Sequence, residues 1–269
     1  MKLEDRMALI TGTGGGIGRG IALALAHRGC HLALVDINED ALAQTAAQCR
    51  NLGIRVTTHL LDVADREAIR QLPAQVHAAH GYLDVLINNA GVALGGTFEQ
   101  VSEADFDWLM EINFHAVVRL TRACLPLLHQ SDDARIVNMS SLYGLISPPG
   151  QTAYSASKFA VRGFSNALRH ELEGTRIGVS VVHPGGVATS IAKSARAPGG
   201  VTEKEIEEER TRHEKLLRMP PEKAGEIIVR GLEQRRPRIL VGADAKAVSV
   251  LERLFPVRYW SILQRAIRR

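Results

Sequence analysis

A glycine-rich turn near the start of the chain is the feature that most limits what this sequence can fold into. The stretch 11–18 is Thr-Gly-Thr-Gly-Gly-Gly-Ile-Gly, between the apolar run Met7–Ile10 and the helical pattern of Ile17–Arg28. Glycines allow a sharp turn and let a helix pack closely on the preceding strand. A second apolar run, His31–Val35, follows the helix. This order predicts a βαβ unit and therefore a parallel sheet.

The same alternation of short apolar runs and helical stretches continues along the chain. It predicts further strands at Ile54–Leu61, Leu83–Ile87, Arg135–Met139, Ile177–Val182 and Arg238–Val241, and helices at Glu39–Asn51 (N-cap Asn38), Ala64–Ala79, Ser102–His129 and Tyr154–Glu173. Nearly continuous apolar strands are typical of a parallel sheet that helices cover on both faces. We therefore predict one α/β domain over residues 1–269, with a doubly wound, parallel, seven-stranded sheet of the Rossmann type, helices on both faces and a C-terminal helical extension at about 243–269.

Composition excludes several classes of protein. The three cysteines, Cys30, Cys49 and Cys124, form no CxxC pair, so neither a disulfide framework nor a metal site is expected. No run of eighteen apolar residues predicts a membrane span, and acidic residues stand too early for a signal peptide. A cytoplasmic location is expected.

The net charge of +4 invites a nucleic-acid hypothesis, but much of the positive charge is concentrated after residue 234, and we interpret it as solvated surface. In the last stretch, Trp260, Leu263 and Ile267 recur at helical spacing among arginines, which predicts an amphipathic helix. The favoured interpretation is a terminal helix packed on its own domain or on a partner subunit. Peripheral contact with an anionic membrane is the alternative.

The position of the glycine turn, between a strand and a helix, also predicts a binding site for a phosphate group. A helix that starts directly after such a turn offers backbone N–H groups and a partial positive charge to a pyrophosphate. Asp36 ends the second strand, 18 residues after Gly18, where a carboxylate can bind ribose hydroxyls and repel a 2′-phosphate. Positions 13 to 15 hold no Lys or Arg, and Ile37 follows Asp36. The sequence therefore predicts NAD as cofactor, with NADP disfavoured; an aspartate that only starts a turn is the alternative.

Tyr154 and Lys158 stand four residues apart and share one face of a predicted helix. Free tyrosine titrates near pH 10, about three units too high for an acid/base at neutral pH. A nearby ammonium group would stabilise the phenolate and lower that pKa. The pair is thus a candidate proton-transfer device, although such a pair also arises by chance.

Together these residues resemble the short-chain dehydrogenase/reductase family, over about residues 5–190. The resemblance is carried, in the family's order, by the glycine turn, Asp36, Asp62, Asn88-Asn89-Ala90-Gly91, Asn113, Ser141, Tyr154 with Lys158, and Pro184-Gly185. It implies an oxidoreductase that moves a hydride between a nicotinamide cofactor and an alcohol/carbonyl pair.

The resemblance also implies roles for single residues. Tyr154 would exchange the proton of the substrate oxygen, and Lys158 would lower the pKa of this tyrosine. Ser141, 13 residues before Tyr154, would hydrogen-bond the same oxygen, and Asn113 would support a proton-relay water. Plain structural roles are the alternatives: Ser141 as a turn residue and Asn113 as a partner of helix backbone groups.

The cofactor-binding set implied by the resemblance surrounds the carboxyl ends of the strands. Asp62 and Val63 would contact adenine, Asn89 would line the groove, and Thr189 would hold the carboxamide. The whole set is Gly12, Gly14, Gly15, Gly16, Ile17, Gly18, Asp36, Ile37, Asp62, Val63, Asn89, Ala90, Gly91, Tyr154, Lys158, Pro184, Gly185, Val187 and Thr189.

The segment at about 190–219 is expected to be a substrate lid. Apolar side chains that could line a pocket favour a hydrophobic secondary alcohol or ketone: Val92, Leu94, Leu142, Tyr143, Leu145, Ile146, Val187, Leu216 and Leu217. The family resemblance suggests a homodimer or homotetramer built on the helices Ser102–His129 and Tyr154–Glu173. An NADPH-dependent 3-ketoacyl-type reductase and a non-catalytic nucleotide-binding protein are the competing functions.

Overall fold

The fold is built on a parallel, seven-stranded sheet with the strand order β3-β2-β1-β4-β5-β6-β7. The computed structural model describes residues 1–191, 194–202, 204, 207, 210–211 and 217–267. The order reverses between β1 and β4, so a crevice opens at the carboxyl ends of these two strands. The strands are β1 Met7–Thr11, β2 His31–Asp36, β3 Val56–Leu60, β4 Val85–Asn88, β5 Ala134–Met139, β6 Ile177–Pro184 and β7 Arg238–Val241.

Helices cover both faces of the sheet, as predicted. They are α1 Gly16–Ala26, α2 Glu39–Arg50, α3 Arg66–His80, α4 Glu103–Met110, α5 Ala116–Leu128, α6 Thr152–Glu171, α7 Pro221–Glu233, and α8 Ala243–Leu254 with α9 Tyr259–Ile267 as the C-terminal extension. Successive side chains of β1 point to opposite faces. Ala8 and Ile10 pack with α1, α2 and α7, whereas Met7 and Leu9 pack with α3 and α5. Over the described residues, no helix is both long and apolar enough to cross a bilayer.

Local side-chain bonds explain where the helices differ from the prediction. Asn38 caps α2 as expected, with Oδ1 accepting from Ala41 N at 2.9 Å. α3 starts at Arg66 rather than Ala64, because Asp65 Oδ1 caps the helix by accepting from Glu67 N and Ala68 N. The predicted long helix Ser102–His129 is interrupted, since a π-helical turn at Glu111–His115 separates α4 from α5.

Two glycines allow α1 and α7 to touch backbone to backbone. A Cβ at Gly20 would lie 2.5 Å from the carbonyl oxygen of Pro221, and a Cβ at Gly225 would lie 2.2 Å from the carbonyl carbon of Gly20. Neither neighbour is a side chain that could turn away. This contact holds α7 against the helix that starts at the glycine turn.

We predict that Gly225→Ala destabilises the protein by about 2 kcal/mol, because the added methyl group must push two helix backbones apart. The thermal midpoint should fall by several degrees. Gly163→Ala is the matched control, since it also lies inside a helix and its Cβ would meet open space among the described residues. The control should gain up to about 1 kcal/mol from helix propensity. Equal midpoints for the two variants would contradict the close contact.

Candidate active site

The glycine turn forms a backbone cradle at the carboxyl ends of β1 and β4. Gly12 has a φ of +71°, and a Cβ there would lie 2.8 Å from Ala90 Cα. A Cβ at Gly18 would lie 2.0 Å from the Gly12 carbonyl oxygen. Asn89 Nδ2 donates to the carbonyl oxygens of Thr11 and Gly12 at 2.9 and 3.0 Å. Asn89 therefore ties the turn to β4, and both sides of the cradle are fixed.

The chain that leaves β6 closes the cradle from the other side. Thr189 lies over the start of α1, where a Cβ at Gly16 would come within 3.1 Å of its Cγ2 atom. Gly186 N donates to Asp244 Oδ2 at 2.7 Å. A Cβ at Gly185 would lie 2.2 Å from both carboxylate oxygens of Asp244. The turn after Pro184 is thus held in place from α8 and meets the glycine turn through Thr189.

Asp36 faces the glycine turn and restricts its sequence. Gly14 N donates to Asp36 Oδ2 at 2.6 Å, and Asn38 N donates to Oδ1 at 2.9 Å. A Cβ at Gly14 would lie 2.9 Å from Asp36 Cγ and 3.0 Å from Ala41 Cβ, whereas one at Gly15 would meet open space among the described residues. Gly14 is therefore required by the carboxylate beside it, and Gly15 is not.

The residues near Asp36 that were predicted to bind the adenosine part differ in how exposed their side chains are. Ile37 is 67% exposed. The Asp62 side chain is exposed, and its Oδ1 accepts from Ala64 N at 2.8 Å. Val63 is buried and packs into the core around α3, so its side chain does not face the carboxyl edge of the sheet.

Tyr154 and Lys158 come together as predicted, with Ser141 opposite them. Lys158 Nζ lies 5.6 Å from the centroid of the Tyr154 ring and donates to the Met139 carbonyl oxygen at 3.2 Å. The Tyr143 ring meets the Tyr154 ring edge to face at 6.1 Å. Ser141 directly follows Ser140 and β5, in extended backbone, and its Oγ accepts from Tyr143 N at 3.1 Å. The three polar groups thus surround one position at the end of β5.

Burial governs the ionisation of this pair. It raises the pKa of Tyr154 to about 12, and a hydrogen bond with Ser141 lowers it in part. Burial also lowers the pKa of Lys158 to about 8. Desolvation of the phenolate is the largest effect on the tyrosine pKa in this structure, and the expected lowering by Lys158 stays a prediction. The raised pKa of Tyr154 favours the protonated phenol at neutral pH.

Asn113 lies in the π-helical turn, and its amide is fully used within the protein. Its Oδ1 accepts from Val92 N at 2.8 Å, and its Nδ2 donates to the Val92 carbonyl at 3.0 Å and to Ser157 Oγ at 3.2 Å. Ser157 Oγ in turn donates to the Tyr154 carbonyl at 2.7 Å. A Cβ at Gly91 would crowd both Asn113 Oδ1, at 3.0 Å, and Lys158 Nζ, at 3.4 Å. Asn113 therefore clamps the loop after β4 against α6.

Sequence reasoning missed three buried polar residues that support the site. Ser157 joins Asn113 to α6, and Ser140 Oγ donates to the Lys158 carbonyl at 2.8 Å. His183 Nδ1 lies 3.0 Å from the Ser141 carbonyl oxygen and must donate to it, since a carbonyl only accepts. His183 Nε2 is buried without a partner among the described residues. The one feature of the sequence that could have indicated these residues is that each is a polar residue within or beside an otherwise apolar stretch.

The predicted lid contacts the loop after β4 and the helix α4 through Arg196. The Arg196 N–H donates to the Ala93 carbonyl at 3.0 Å. Its guanidinium bonds Asp105 Oδ1 at 2.6 Å and lies 3.8 Å from the Trp108 ring centroid. This part of the segment is therefore fastened by one arginine. Outside the described residues lie 192–193, 203, 205–206, 208–209 and 212–216, which include Leu216 of the predicted pocket.

Comparison with known proteins decides the family. The family model described as short chain dehydrogenase matches residues 6–199. This chain belongs to the short-chain dehydrogenase family. The sequence resemblance and the predicted Rossmann fold are confirmed, and the protein is an oxidoreductase of this family.

Three relatives of this short-chain dehydrogenase illustrate the range of the similarity. SadH of Mycobacterium tuberculosis H37Rv, named as an oxidoreductase, is 42% identical over 258 residues, 95% of this chain and 93% of its own. A short-chain dehydrogenase/reductase of Burkholderia phymatum, solved in complex with NAD, is 28% identical with a TM-score of 0.88 and covers 95% of both chains. The 3-oxoacyl-[acyl-carrier-protein] reductase FabG of Thermotoga maritima is 33% identical over 193 residues, 72% of this chain and 78% of its own.

Burial lowers the pKa of His183 from 6.5 to about 4. Between these values the unfolded short-chain dehydrogenase binds a proton at this position and the folded one does not, so folding stability must fall as the pH falls. We predict that His183 alone removes up to about 3 kcal/mol of unfolding free energy over this range. Denaturant titrations of wild type and His183→Asn measure it, because Asn can keep the donor to Ser141 without titrating.

His77→Asn is the control for this prediction, since His77 is exposed on α3. It should keep the wild-type slope of stability against pH, whereas His183→Asn should flatten it. The same slope in all three proteins would show that His183 is not held neutral.

Proposed function

We propose that this protein interconverts a secondary alcohol and a ketone with NAD, using Tyr154 as the acid/base. The observation that carries the proposal is the convergence of Tyr154, Ser141 and Lys158 at the carboxyl end of β5, beside the glycine cradle. A Rossmann sheet binds its ligands at this edge. A phenol, a hydroxyl and an amine around one position suit proton transfer to an oxygen atom.

The residues present fit a dinucleotide. Gly12 and Gly18 let the turn pack closely on the loop after β4 and on itself, and a Cβ at Gly15 would meet no described atom within 4 Å. The turn opens α1, whose N-terminus favours a pyrophosphate. Asp36 presents a carboxylate where an adenosine ribose would lie and would repel a 2′-phosphate. The NAD complex of the Burkholderia phymatum relative supports the same choice. When bound, the nicotinamide supplies or accepts the hydride.

The chain's own residues supply the proton and the orientation. Ser141 Oγ would hydrogen-bond the substrate oxygen and hold it toward Tyr154. During reduction the oxygen becomes an alkoxide, which is more basic than a phenolate, so the protonated Tyr154 can give up its proton despite its raised pKa. Alcohol oxidation runs the same transfer in reverse. Lys158, held by the Met139 carbonyl, would then stabilise the phenolate when it is protonated itself.

The substrate we propose is hydrophobic. Val92, Leu142 and Tyr143 are partly exposed beside Ser141 and Tyr154, so they can contact an apolar chain. Leu94, Leu145, Ile146 and Val187 are buried and can only form the floor of a pocket, whereas Leu217 is half-buried. The Arg196 segment would act as the lid, and an oligomer formed through α4, α5 and α6 remains part of the proposal.

A 3-ketoacyl-type reductase that uses NADPH is the second candidate, because the Thermotoga maritima FabG protein is a relative at 33% identity. Asp36 opposes it, since the carboxylate already receives the Gly14 N–H at 2.6 Å and faces the position of a 2′-phosphate. A binding protein without turnover is disfavoured, because it would need neither the buried Lys158 nor the proton donor beside it.

We predict that Tyr154→Phe lowers kcat at least about a thousandfold with a panel of secondary alcohols and ketones of increasing chain length. The substitution removes only the exchangeable proton and keeps the ring. NADH affinity, measured by calorimetry, should change little. Tyr82→Phe is the control, because its hydroxyl donates to the Asp5 carbonyl, at the amino edge of the sheet. Substantial turnover by Tyr154→Phe would reject the mechanism.

Asp36→Asn should narrow the cofactor preference. The wild type should favour NAD(H) over NADP(H) in kcat/KM, and the variant should reduce that ratio about tenfold, which corresponds to ~1.4 kcal/mol. The amide keeps the size of the side chain but no longer repels a phosphate. Asp40→Asn, an exposed carboxylate on α2, is the control for a general loss of charge and should leave the ratio unchanged. A wild type that prefers NADP(H) would overturn the assignment.

A further inference from the structure

Exposed apolar side chains are concentrated in the C-terminal extension. Val250, Leu254, Phe255, Val257 and Ile262 are 58%, 65%, 45%, 89% and 37% exposed. We call these five residues the C-terminal apolar patch. Single exposed hydrophobic residues are ordinary, but a cluster of them at one place marks an interaction surface.

The extension that carries the patch is attached to the domain through the buried side of α8 and through hydrogen bonds at the start of each helix. Ala245, Val248 and Ser249 form the buried side of α8. At the start of α8, Asp244 Oδ2 accepts from Gly186 N at 2.7 Å. At the start of α9, Tyr259 Oη accepts from Ser147 N at 3.1 Å. These contacts attach α8 and α9 to the domain. The domain does not cover the C-terminal apolar patch.

The net charge of the protein is located in the same segment. Residues 243–269 contain six basic and two acidic residues, a net charge of +4. This equals the net charge of the whole chain, so residues 1–242 are neutral overall. Arg253, Arg258 and Arg265 are exposed, on or beside the helices that carry the patch. One of the two acids, Asp244, is already bonded to Gly186.

These charges distinguish between the surfaces that could cover the patch. In a two-fold symmetric dimer the same patch would face itself, and the positive charges of both copies would be brought together. An anionic bilayer offers apolar depth for the patch and opposite charge for the arginines. A basic helix with an apolar face binds such an interface by both effects.

We propose that the C-terminal extension docks on the surface of an anionic phospholipid bilayer, with Leu254, Phe255 and Val257 entering the apolar boundary and Arg253 and Arg258 at the level of the phosphates. The extension is anchored beside the proposed active site, because Gly186 follows the Pro184-Gly185 turn and Ser147 lies in the loop that follows Ser141. A docked protein would therefore carry its active site at the membrane surface. The docking itself does not depend on the proposed reaction.

Sedimentation of the full-length protein with vesicles tests this proposal. One set of vesicles contains phosphatidylcholine alone, and the other is mixed with phosphatidylglycerol. We expect binding to the mixed vesicles at low salt, weak binding to the neutral ones, and loss of binding at high salt, where exposed charges are screened. Leu254→Gln with Val257→Glu should reduce the partition coefficient more than tenfold, and Arg253→Gln with Arg258→Gln should remove the preference for the anionic lipid.

Leu60→Gln is the matched control, because Leu60 is a leucine of similar exposure, 58%, on β3 at the other edge of the sheet. It should bind like the wild type. Equal binding to neutral and anionic vesicles, or equal binding by Leu254→Gln/Val257→Glu, would overturn the proposal. So would the absence of vesicle binding together with an oligomer that this double variant dissociates in size-exclusion chromatography, since the patch would then be covered by a second copy.

Discussion

The close backbone contact between Gly12 and Gly18 is the constraint on which the rest of the structure depends. A methyl group at Gly18 would fall 2.0 Å from the Gly12 carbonyl oxygen, so only glycine lets α1 start so near the end of β1. Asn89 then bonds the carbonyls of Thr11 and Gly12 and fixes β4 to the same turn. The crevice between β1 and β4 has its shape because of these contacts, and each group of the site is placed relative to that crevice.

Desolvation is the second controlling factor, because the site brings ionisable groups into an apolar surrounding. Burial raises the pKa of Tyr154 from 10.0 to about 12 and lowers that of Lys158 from 10.5 to about 8, so the two values move apart. Transfer of a proton from the Tyr154 phenol to the Lys158 amine is therefore less favourable than between the free side chains, and the phenol keeps its proton for the substrate oxygen. His183 belongs to the same arrangement, since its pKa is also lowered by burial and its neutral ring holds the Ser141 carbonyl.

The sequence predicted the sheet, the cradle and the Tyr154–Lys158 pair, because each follows from periodicity or from the steric freedom of glycine. It did not predict the π-helical turn around Asn113, since a turn of this kind inserts no distinctive residue into an apolar helical pattern. The roles of Ser157 and His183 were equally hidden, because their partners are backbone carbonyls contributed by Tyr154 and Ser141. Nor could the buried position of Val63 be foreseen from its place after Asp62, because which way a loop residue points depends on the helix packed beneath it.

The basic extension after β7 is attached to two segments of the candidate active site, each by one hydrogen bond. Asp244 reaches the turn that places Thr189 over the glycine cradle, and Tyr259 reaches the loop that follows Ser141. A protein whose extension served only to complete its own core would bury the apolar side chains of α8, α9 and the turn between them, yet Leu254 on α8 and Val257 in that turn are 65% and 89% exposed. The first 242 residues are neutral overall, so the extension accounts for the net positive charge of the whole chain. An anionic surface would therefore orient the protein by this face, next to the segments that hold Ser141 and Thr189.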